Sequence, residues 1–285
     1  MLFEYWFMFP VAFLVATIAM ASGIGGATLF TPIFLIGLHL SPEVAIGTGL
    51  ITEVFGFGSG VLAYARKRLI DFALGRQLLM ATVPMALIGT WAAGQVNPTV
   101  LKVILGVGLF AVAASFLRTP DEEDIVLLDR AIQEKYGGPQ AESLLRAADG
   151  EEFRYTVCNR REGRLIAGVG ALFVGLISTG LGELNGYFLL QRCRVPSPVA
   201  VATGVFVVAV TALVAASGHL FQFARLGGET LDTVLRLTLF TVPGVILGGQ
   251  AGSWVARQVP QHRLERALGV LFILVAGLTL GEVIF

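Results

Sequence analysis

The sequence predicts an all-α, polytopic membrane protein made of two inverted repeats of about five transmembrane segments, with helices broken at glycines. Composition is the first reason: 55% of the residues are hydrophobic and 14% are charged, whereas soluble domains carry about a quarter charged residues. The second reason is a duplicated motif. Ser-Gly-Ile-Gly-Gly at 22–26 recurs as Ser-Thr-Gly-Leu-Gly-Glu at 178–183, and Ser-Pro-Glu-Val-Ala-Ile-Gly-Thr-Gly at 41–49 recurs as Ser-Pro-Val-Ala-Val-Ala-Thr-Gly at 197–204.

Two shorter echoes extend the duplication and define the domains. Thr-Val-Pro at 82–84 recurs at 241–243, and Leu-Gly-Val at 105–107 recurs at 268–270. We therefore divide the chain into a first transmembrane repeat at 1–118, an insert at 119–163 and a second repeat at 164–285. Duplicated membrane units with interrupted helices are typical of secondary transporters, which hold their substrate between the copies. The leading hypothesis is a transporter, not an enzyme.

Ten apolar segments account for the predicted helices. Most have the roughly 17–25 residues that cross a bilayer as a helix, but the second and seventh are shorter and directly follow the two glycine-rich motifs. These two are therefore expected to be tilted, partial or re-entrant. In order, the segments lie at 5–22, 27–40, 44–64, 76–95, 99–117, 165–181, 184–191, 198–218, 232–255 and 264–283.

The distribution of basic residues predicts which segments cross. If all ten cross, the cluster at 66–68, the insert, Arg192 and the arginines at 257–266 share one face. If the two short segments fail to cross, these clusters are split between the faces. Lys and Arg concentrate on the cytoplasmic side, so we expect ten crossings, both termini outside and residues 119–163 in the cytoplasm. A prokaryotic cell membrane is the expected location.

The insert is acidic, with eleven of the chain's 20 acidic residues and six of its 20 basic residues. Its sequence predicts two short helices, with Leu144 and Leu145 marking the second, and extended chain around 153–157. Asp71, which follows the basic cluster, is expected to be a solvated anchor. The two cysteines, Cys158 and Cys193, imply no disulfide framework, and Cys193 is interpreted as a small buried hydrophobic residue.

The glycine-rich motifs are the first candidate site. Glycine lets the chain leave helix geometry and exposes N–H groups at the start of the next helix. Because a helix N-terminus carries about half a positive charge, two that meet in the membrane would bind an anion without a buried Arg or Lys. The expected substrate-binding residues are Ser22, Gly23, Gly25, Gly26, Thr28, Thr48, Ser178, Thr179, Gly180, Gly182, Asn185 and Thr203.

Two carboxylates are the sharpest single candidates. Glu53 lies midway along the third segment, and Glu183 lies in the second glycine-rich motif. Ionisable residues inside membrane spans usually face a cavity and often handle protons, so both are assigned to proton coupling. The other interpretation is a hydrogen-bonded structural Glu that joins two helices. The three histidines form no ligand spacing, and no metal is assigned.

Other features of the spans fit packing. Gly244, Gly248 and Gly252 recur every four residues, a pattern that allows helices to approach closely. Pro84 and Pro243 lie inside apolar segments, where each favours a kink.

The motifs resemble the TauE/SafE family of sulfite exporters. The likeness rests on Gly23, Gly25 and Gly26 followed by Pro32 and then Thr48, with a weaker second copy at Gly180, Gly182 and Thr203. It covers residues 5–118 and 164–283 but not the insert. The second copy departs from the pattern, because Glu183 replaces a glycine and Gln191-Arg192 stands near where a proline is expected. The resemblance implies a permease for small sulfur-containing anions such as sulfite, sulfoacetate or related organosulfonates, driven by the proton gradient.

The expected partners are a small anionic substrate, protons and the lipid bilayer. No cofactor and no nucleic acid are expected, and the oligomeric state is open, a homo-oligomer included. Two alternatives remain open. One is a cation or metal carrier that uses Glu53 and Glu183 as ligands. The other is a membrane sensor that acts through the cytoplasmic insert.

Overall fold

Ten helices dominate the computed structural model of the chain, which describes residues 4–22, 25–117, 142–255, 258 and 261–284. This confirms the all-α polytopic fold. The second and seventh helices are six residues long, and each continues as a π-helical turn, at Ile33–Gly37 and Tyr187–Arg192. The helices are α1 Met8–Ser22, α2 Ala27–Pro32, α3 Pro42–Arg66, α4 Phe72–Ala93, α5 Pro98–Leu117, α6 Arg160–Ile177, α7 Leu181–Gly186, α8 Ser197–Leu226, α9 Gly228–Val255 and α10 Gln261–Ile284.

Four of the described helices, α3, α4, α8 and α9, are long and apolar enough to cross a membrane. The shorter apolar stretches lie in α1, α2 with its π-helical turn, α5 and α10. Helices α3 and α8 are the most buried of the four long ones, and they contact each other at the centre of the molecule.

The helix pairs repeat with a two-fold pattern. Helix α1 packs along α9, and its counterpart α6 packs along α4. Helix α3 contacts α9, its counterpart α8 contacts α4, and α5 pairs with α10. The first helix of each repeat therefore packs on the fourth helix of the other repeat.

Helix directions show that the short second segment returns the chain to its starting side. Gly244 lies against Phe9 and Gly252 against Thr17, so α1 and α9 run parallel. Thr52 meets Thr241 and Ser59 meets Gln250, so α3 and α9 are parallel as well. Helices α1 and α3 can share one direction only if the chain between them runs back.

The glycine face of α9 is a packing surface, as predicted. A Cβ atom at Gly244 would lie 2.5 Å from the carbonyl oxygen of Phe9, and one at Gly248 would lie 2.4 Å from that of Phe13. Real Cβ atoms do not approach backbone oxygens so closely. Glycine is therefore required here because the backbones of α1 and α9 are nearly in contact.

The described part of the insert is a β-hairpin, which corrects the second predicted helix. Strand β1, Glu142–Arg146, pairs antiparallel with β2, Glu152–Thr156. The connection turns at Gly150, whose φ is +92°, a conformation suited to glycine. Leu144 and Leu145 thus lie in a strand, whereas the extended chain predicted around 153–157 is confirmed. The first predicted helix lies outside the described residues.

The hairpin is attached to the helices, and two expectations fail at this contact. The Tyr155 hydroxyl donates to Asp71 Oδ2 at 2.7 Å, so Asp71 is not a solvated anchor. Cys158 and Cys193 form a disulfide with their Cα atoms 5.2 Å apart, so Cys193 is buried but not simply a small hydrophobic residue. Sequence spacing alone could not show that a 35-residue separation closes in space.

Candidate functional site

The two glycine-rich motifs are real helix breaks. The first break lies between α1 and α2; Gly25 and Gly26 are described there, whereas Gly23 and the side chain of Ser22 lie outside the described residues. At the second break, α6 ends at Ile177 and Ser178 adopts a left-handed φ of 59°. Gly180 follows with φ +110°, a conformation that costs a residue with a Cβ atom free energy. The chain then restarts as α7.

The breaks of the two repeats meet through hydroxyl groups. The Thr28 hydroxyl lies 2.8 Å from Thr179 Oγ1, and the Thr31 hydroxyl hydrogen-bonds to the Ser178 hydroxyl. All four side chains are buried. Three of them, Thr28, Ser178 and Thr179, were predicted as site residues, and the structure brings them together from opposite repeats.

Glu183 is held by both breaks. Its Oε1 accepts a hydrogen bond from the Thr28 hydroxyl at 2.8 Å, and its Oε2 accepts from the Gly180 amide at 3.0 Å. The side chain is 5% exposed. This carboxyl group therefore joins the start of α7 to α2 of the other repeat.

Glu53 makes the corresponding contact at the first break. It lies midway along α3, is 2% exposed, and its Oε1 accepts from the Ala27 amide at 3.1 Å. A Cβ atom at Gly25 would lie 3.0 Å from this oxygen and 3.3 Å from Thr28 Oγ1. Glycine at position 25 thus leaves the space that the carboxyl group uses to reach the helix start.

Each break therefore presents backbone N–H groups to a buried carboxyl group. The amides of Ala27 and Gly180 come from different repeats, and so do Glu53 and Glu183. A carboxylate on a helix-start amide occupies the place of a bound anion. The sequence predicts anion-binding amides at the motifs and, separately, two buried acids. In the structure, these amides and acids contact each other.

Two predicted site residues are buried with polar atoms that have no partner among the described residues. They are Thr48, through Oγ1, and Asn185, through both Oδ1 and Nδ2. Asn185 is 1% exposed and Thr48 is fully buried. Buried polar groups are nearly always hydrogen-bonded, so a water molecule or a ligand is needed to satisfy them.

The remaining predicted residues serve the surrounding packing. Thr203 accepts a hydrogen bond from the Asp71 amide at 3.0 Å, at the start of α4, and does not reach the carboxyl groups through any described hydrogen bond. Gly26 lies against Phe57 and Ala19. Gly182 is buried in α7. Thr48 and Thr203, equivalent in sequence, therefore differ in their contacts.

Sequence reasoning missed a pair of threonine bridges between the repeats. Thr52 and Thr241 bring their hydroxyl oxygens within 3.0 Å across α3 and α9, and Thr211 donates to Thr82 at 2.8 Å across α8 and α4. The recurrence of Thr-Val-Pro was visible in the sequence and supported the duplication and a proline kink, but its threonines were given no role. Its threonines link the helices of opposite repeats.

His219 is a second omission. It lies within α8 at 2% exposure, with Nε2 3.1 Å from the Gly175 carbonyl oxygen and no described partner for Nδ1. No group of three or more His, Cys, Asp or Glu side chains in the described part of the chain is placed to hold a metal ion.

Comparison with known proteins is consistent with this architecture. The profile of the family described as "Sulfite exporter TauE/SafE" matches residues 8–279. A Bacillus subtilis protein named probable membrane transporter protein YunE is 23% identical over 276 residues, 94% of each chain. Another from the same organism, probable membrane transporter protein YjnA, is 27% identical over 91% of this chain and 92% of its own.

A more similar but shorter match is the probable membrane transporter protein ORF9 of Sinorhizobium sp. It is 31% identical over 119 residues, 42% of this chain and 45% of its own. No solved structure matches the chain at a significant level.

Proposed function

Since the chain belongs to the sulfite exporter TauE/SafE family and is a membrane transporter, we propose that it carries small sulfur-containing anions such as sulfite or organosulfonates by proton-coupled alternating access. One observation supports this most: two buried carboxyl groups, Glu53 and Glu183, each accept a hydrogen bond from an amide at a helix break. Amides at helix starts bind anions, and ionisable groups inside the membrane often carry protons.

In this mechanism, the anion and the proton use the same pairs of amide and carboxyl groups. In the structure, the Ala27 amide donates to Glu53 and the Gly180 amide donates to Glu183. Protonation of a carboxyl group weakens the hydrogen bond that it accepts from such an amide, because charge-assisted hydrogen bonds are about twice as strong as neutral ones. The released N–H can then donate to an oxygen of the cargo.

Repulsion between negative charges couples entry of the anion to protonation of a carboxyl group. Two unit charges 4 Å apart interact by about 4 kcal/mol at an effective dielectric constant near 20. An anionic cargo therefore enters a site that already holds two buried carboxyl groups only when at least one is neutral. Cargo and proton travel together under this mechanism, and the proton gradient drives the anion.

The unpartnered polar atoms of Thr48 and Asn185 supply further contacts for an oxyanion. The Asn185 amide offers two donors and the Thr48 hydroxyl offers one, and both are buried without described partners. We assign them to the cargo or to the water that replaces it. Ser22 and Gly23, also predicted at the site, lie outside the described residues and keep their assignment as predictions.

The inverted repeats supply the conformational change. Alternating access in such folds is largely the rocking of one bundle against the other around a fixed site. The bridges Thr52–Thr241 and Thr82–Thr211 span the repeats. We propose that these bridges hold the helices of opposite repeats together while the contacts around the breaks rearrange.

The positions of the basic residues favour one orientation of the protein in the membrane. We propose that the face carrying the hairpin and the cluster Arg66–Lys67–Arg68 is cytoplasmic, because basic residues concentrate there, and that both termini lie outside in a prokaryotic cell membrane. The boundaries 1–118, 119–163 and 164–285 stay predictions. Helix α5 ends at Leu117, just before the first boundary, whereas α6 begins at Arg160, inside the predicted insert.

The test is sulfite flux into proteoliposomes under an imposed pH gradient. Wild type, Glu53→Gln and Glu43→Gln are compared; Glu43 lies in the first turn of the same helix and is partly exposed. We expect Glu53→Gln to lose the gradient-driven component, because an amide cannot exchange a proton, and Glu43→Gln to keep it. Unchanged flux in Glu53→Gln would remove that proton site and leave the permease intact, and absence of sulfite flux in wild type would refute sulfite as cargo.

The two alternatives predict different results. A cation carrier requires Glu53 and Glu183 as ligands, but the described residues offer no third acidic, His or Cys ligand beside them. A sensor acting through the insert predicts that deletion of residues 121–160 abolishes function while Glu53→Gln does not. Measuring flux in that deletion variant beside Glu53→Gln separates the sensor from the permease.

A further inference from the structure

His219 is a buried titratable side chain outside the pairs of amide and carboxyl groups at the helix breaks. It lies within α8, seven residues before that helix ends at Leu226, and is 2% exposed. Among the described residues, the other buried side chains that carry a carboxyl, imidazole, amino or guanidinium group are Glu53 and Glu183. The described helices therefore bury two acids and one base.

His219 lies toward the membrane face opposite the β-hairpin. Asp71, just before α4, contacts the hairpin, and α4 runs from there to Ala93. Gly218, the residue before His219, lies against Thr90 in the last turn of α4. At 1.5 Å per residue, His219 is about 10 Å from the end of α8, on the proposed external side.

Helix α3 shows how the imidazole is placed relative to the acids. A Cβ atom at Gly47 would lie 3.0 Å from that of His219, and one at Gly49 would lie 2.9 Å from Thr31 Oγ1. Glu53 follows six residues after Gly47, which is about 9 Å of helix. The imidazole therefore lies on the external side of Glu53, and Thr31 lies between them along the axis of α3.

The imidazole of His219 has one occupied nitrogen and one without a described partner. Nε2 lies 3.1 Å from the carbonyl oxygen of Gly175, in the last turn of α6 before the second break. A carbonyl oxygen only accepts hydrogen bonds, so Nε2 carries the hydrogen and Nδ1 of the neutral ring holds a lone pair. Nδ1 and the hydroxyls of Thr48 and Thr90 are all buried without a described partner. Because buried polar groups are nearly always hydrogen-bonded, this region is suited to hold water.

Hydroxyl groups continue from this region to Glu183. The hydroxyls of Thr31 and Ser178 hydrogen-bond to each other, and either oxygen can be the donor. One turn earlier in α2, Thr28 Oγ1 lies 2.8 Å from Thr179 Oγ1 and 2.8 Å from Oε1 of Glu183. A hydroxyl group both donates and accepts. A proton can therefore pass along this series when each hydroxyl accepts one hydrogen and gives up another.

We propose that His219 is a relay residue that carries protons between the external face and Glu183. The proton enters on Nδ1 and leaves from Nδ1, while the hydrogen on Nε2 stays on the Gly175 carbonyl, so the ring is neutral before and after each transfer. Water held by the hydroxyls of Thr90 and Thr48 links Nδ1 to the external face and to the hydroxyl series. The proton ends on the Glu183 carboxylate, which becomes a carboxyl group. This inference rests on the proposed proton-coupled transport and assigns its external proton path.

The described contacts of the imidazole are uncharged. They are Gly47 of α3, Gly175 of α6 and Phe223 of its own helix, whose ring centroid is 6.4 Å away. Glu43 of α3 and Arg225 of α8 lie nearer the external ends of their helices, and the charged residues of α4 and α6 lie in the first two turns, at the hairpin end. The charge of this site therefore changes with the imidazole itself, which in histidine titrates between about pH 5 and 8.

The test compares two fluxes of radiolabelled sulfite in proteoliposomes: net flux driven by a pH gradient, and exchange of sulfite for sulfite at equal pH and concentration on both sides. Exchange needs no proton release, because the cargo leaves and returns while the carboxyl group stays neutral. The amide of His219→Gln still offers a donor to Gly175 but does not titrate. We expect this variant to lose net flux and retain exchange. His39→Gln, the same change at an exposed histidine, should keep both fluxes.

Two results would overturn the relay. Net flux at the wild-type level in His219→Gln would show that no proton passes through the imidazole, and equal loss of net flux and exchange would show a structural role only. If His219→Gln does not fold, Thr90→Val makes the same test, because valine keeps the shape of the side chain and removes the hydroxyl beside Gly218. Its ratio of net flux to exchange should fall, and an unchanged ratio rejects the relay. Absence of gradient-driven sulfite flux in wild type rejects the proposed function itself, and the relay with it.

Discussion

The hydroxyl of Thr28 lies 2.8 Å from Oε1 of Glu183, across 155 positions of sequence. Thr28 belongs to the first helix break and Glu183 to the second. The same hydroxyl contacts Thr179 at 2.8 Å. A single small side chain therefore connects the two repeats at the carboxyl group that we assign to proton coupling.

Thr28→Val should weaken this connection without changing the volume of the side chain much. A buried hydrogen bond to a charged group contributes about 1.5–3 kcal/mol. We expect a loss of that order in the free energy of unfolding in detergent, together with loss of gradient-driven anion flux.

Thr17→Val is the matched control. The Thr17 hydroxyl donates to the Phe13 carbonyl oxygen within α1 at 2.7 Å, lies 3.4 Å from the Gly248 carbonyl oxygen of α9 and makes no described hydrogen bond to Glu183. Flux in Thr17→Val should stay near wild type. Equal loss of flux in the two variants would show that Thr28 has no special role.

Gly25→Ala should disturb the carboxyl group at the first break. The new methyl group would meet Glu53 Oε1 at 3.0 Å and Thr28 Oγ1 at 3.3 Å. Because both neighbours are site side chains rather than backbone, the protein should still fold while the Glu53–Ala27 hydrogen bond is displaced. Flux and thermal unfolding, measured together, check this prediction.

Gly58→Ala provides the comparison on α3, since a methyl group there meets nothing within 4 Å. It should leave flux unchanged. Normal flux in Gly25→Ala would remove the claim that the space at Gly25 serves the anion site.

The threonine bridge Thr52–Thr241 should show measurable coupling in a double-mutant cycle. Thr52→Val and Thr241→Val each leave a buried hydroxyl without its partner, which costs about 1–3 kcal/mol, whereas the double variant removes both groups. We expect the double variant to be more stable than the sum of the single losses predicts. Additive losses in chemical unfolding would show that the two hydroxyl groups do not interact.

Alkaline pH should loosen the hairpin. Burial, followed by its hydrogen bond to Asp71, raises the pKa of Tyr155 above the ordinary tyrosine value. A group with a raised folded-state pKa stabilises the fold below its unfolded pKa, about 10 for tyrosine, and this contribution is lost as pH rises further. Melting temperatures measured between neutral pH and pH of about 11 should therefore fall more steeply in wild type than in Tyr155→Phe. Parallel curves for the two proteins would contradict this account.

The sequence was informative wherever the signal is local. Glycines at 25, 26, 180 and 182 predict helix breaks because glycine tolerates conformations that other residues avoid, and both breaks are present. Long apolar segments predict the helices, and the spacing of Gly244, Gly248 and Gly252 predicts a packing face, because these signals depend only on neighbours along the chain. The burial of Glu53 followed from its position inside such a segment.

Contacts between distant parts of the chain could not be predicted in this way. Leu144 and Leu145 fit a short helix as well as a strand, and pairing with β2 decided the outcome. Cys158 and Cys193 carry no sign of their disulfide, and Asp71 carries no sign of Tyr155. In each case the partner comes from another element.

By itself, the sequence determined a membrane protein of two repeats, with a glycine-rich break in each and two acids within apolar surroundings. Only the tertiary structure decided that Glu53 accepts from Ala27 and that Glu183 accepts from Thr28. The physical reason is that composition and periodicity specify which surfaces each helix must bury. The pairing of single donors and acceptors depends on where the packed helices place them.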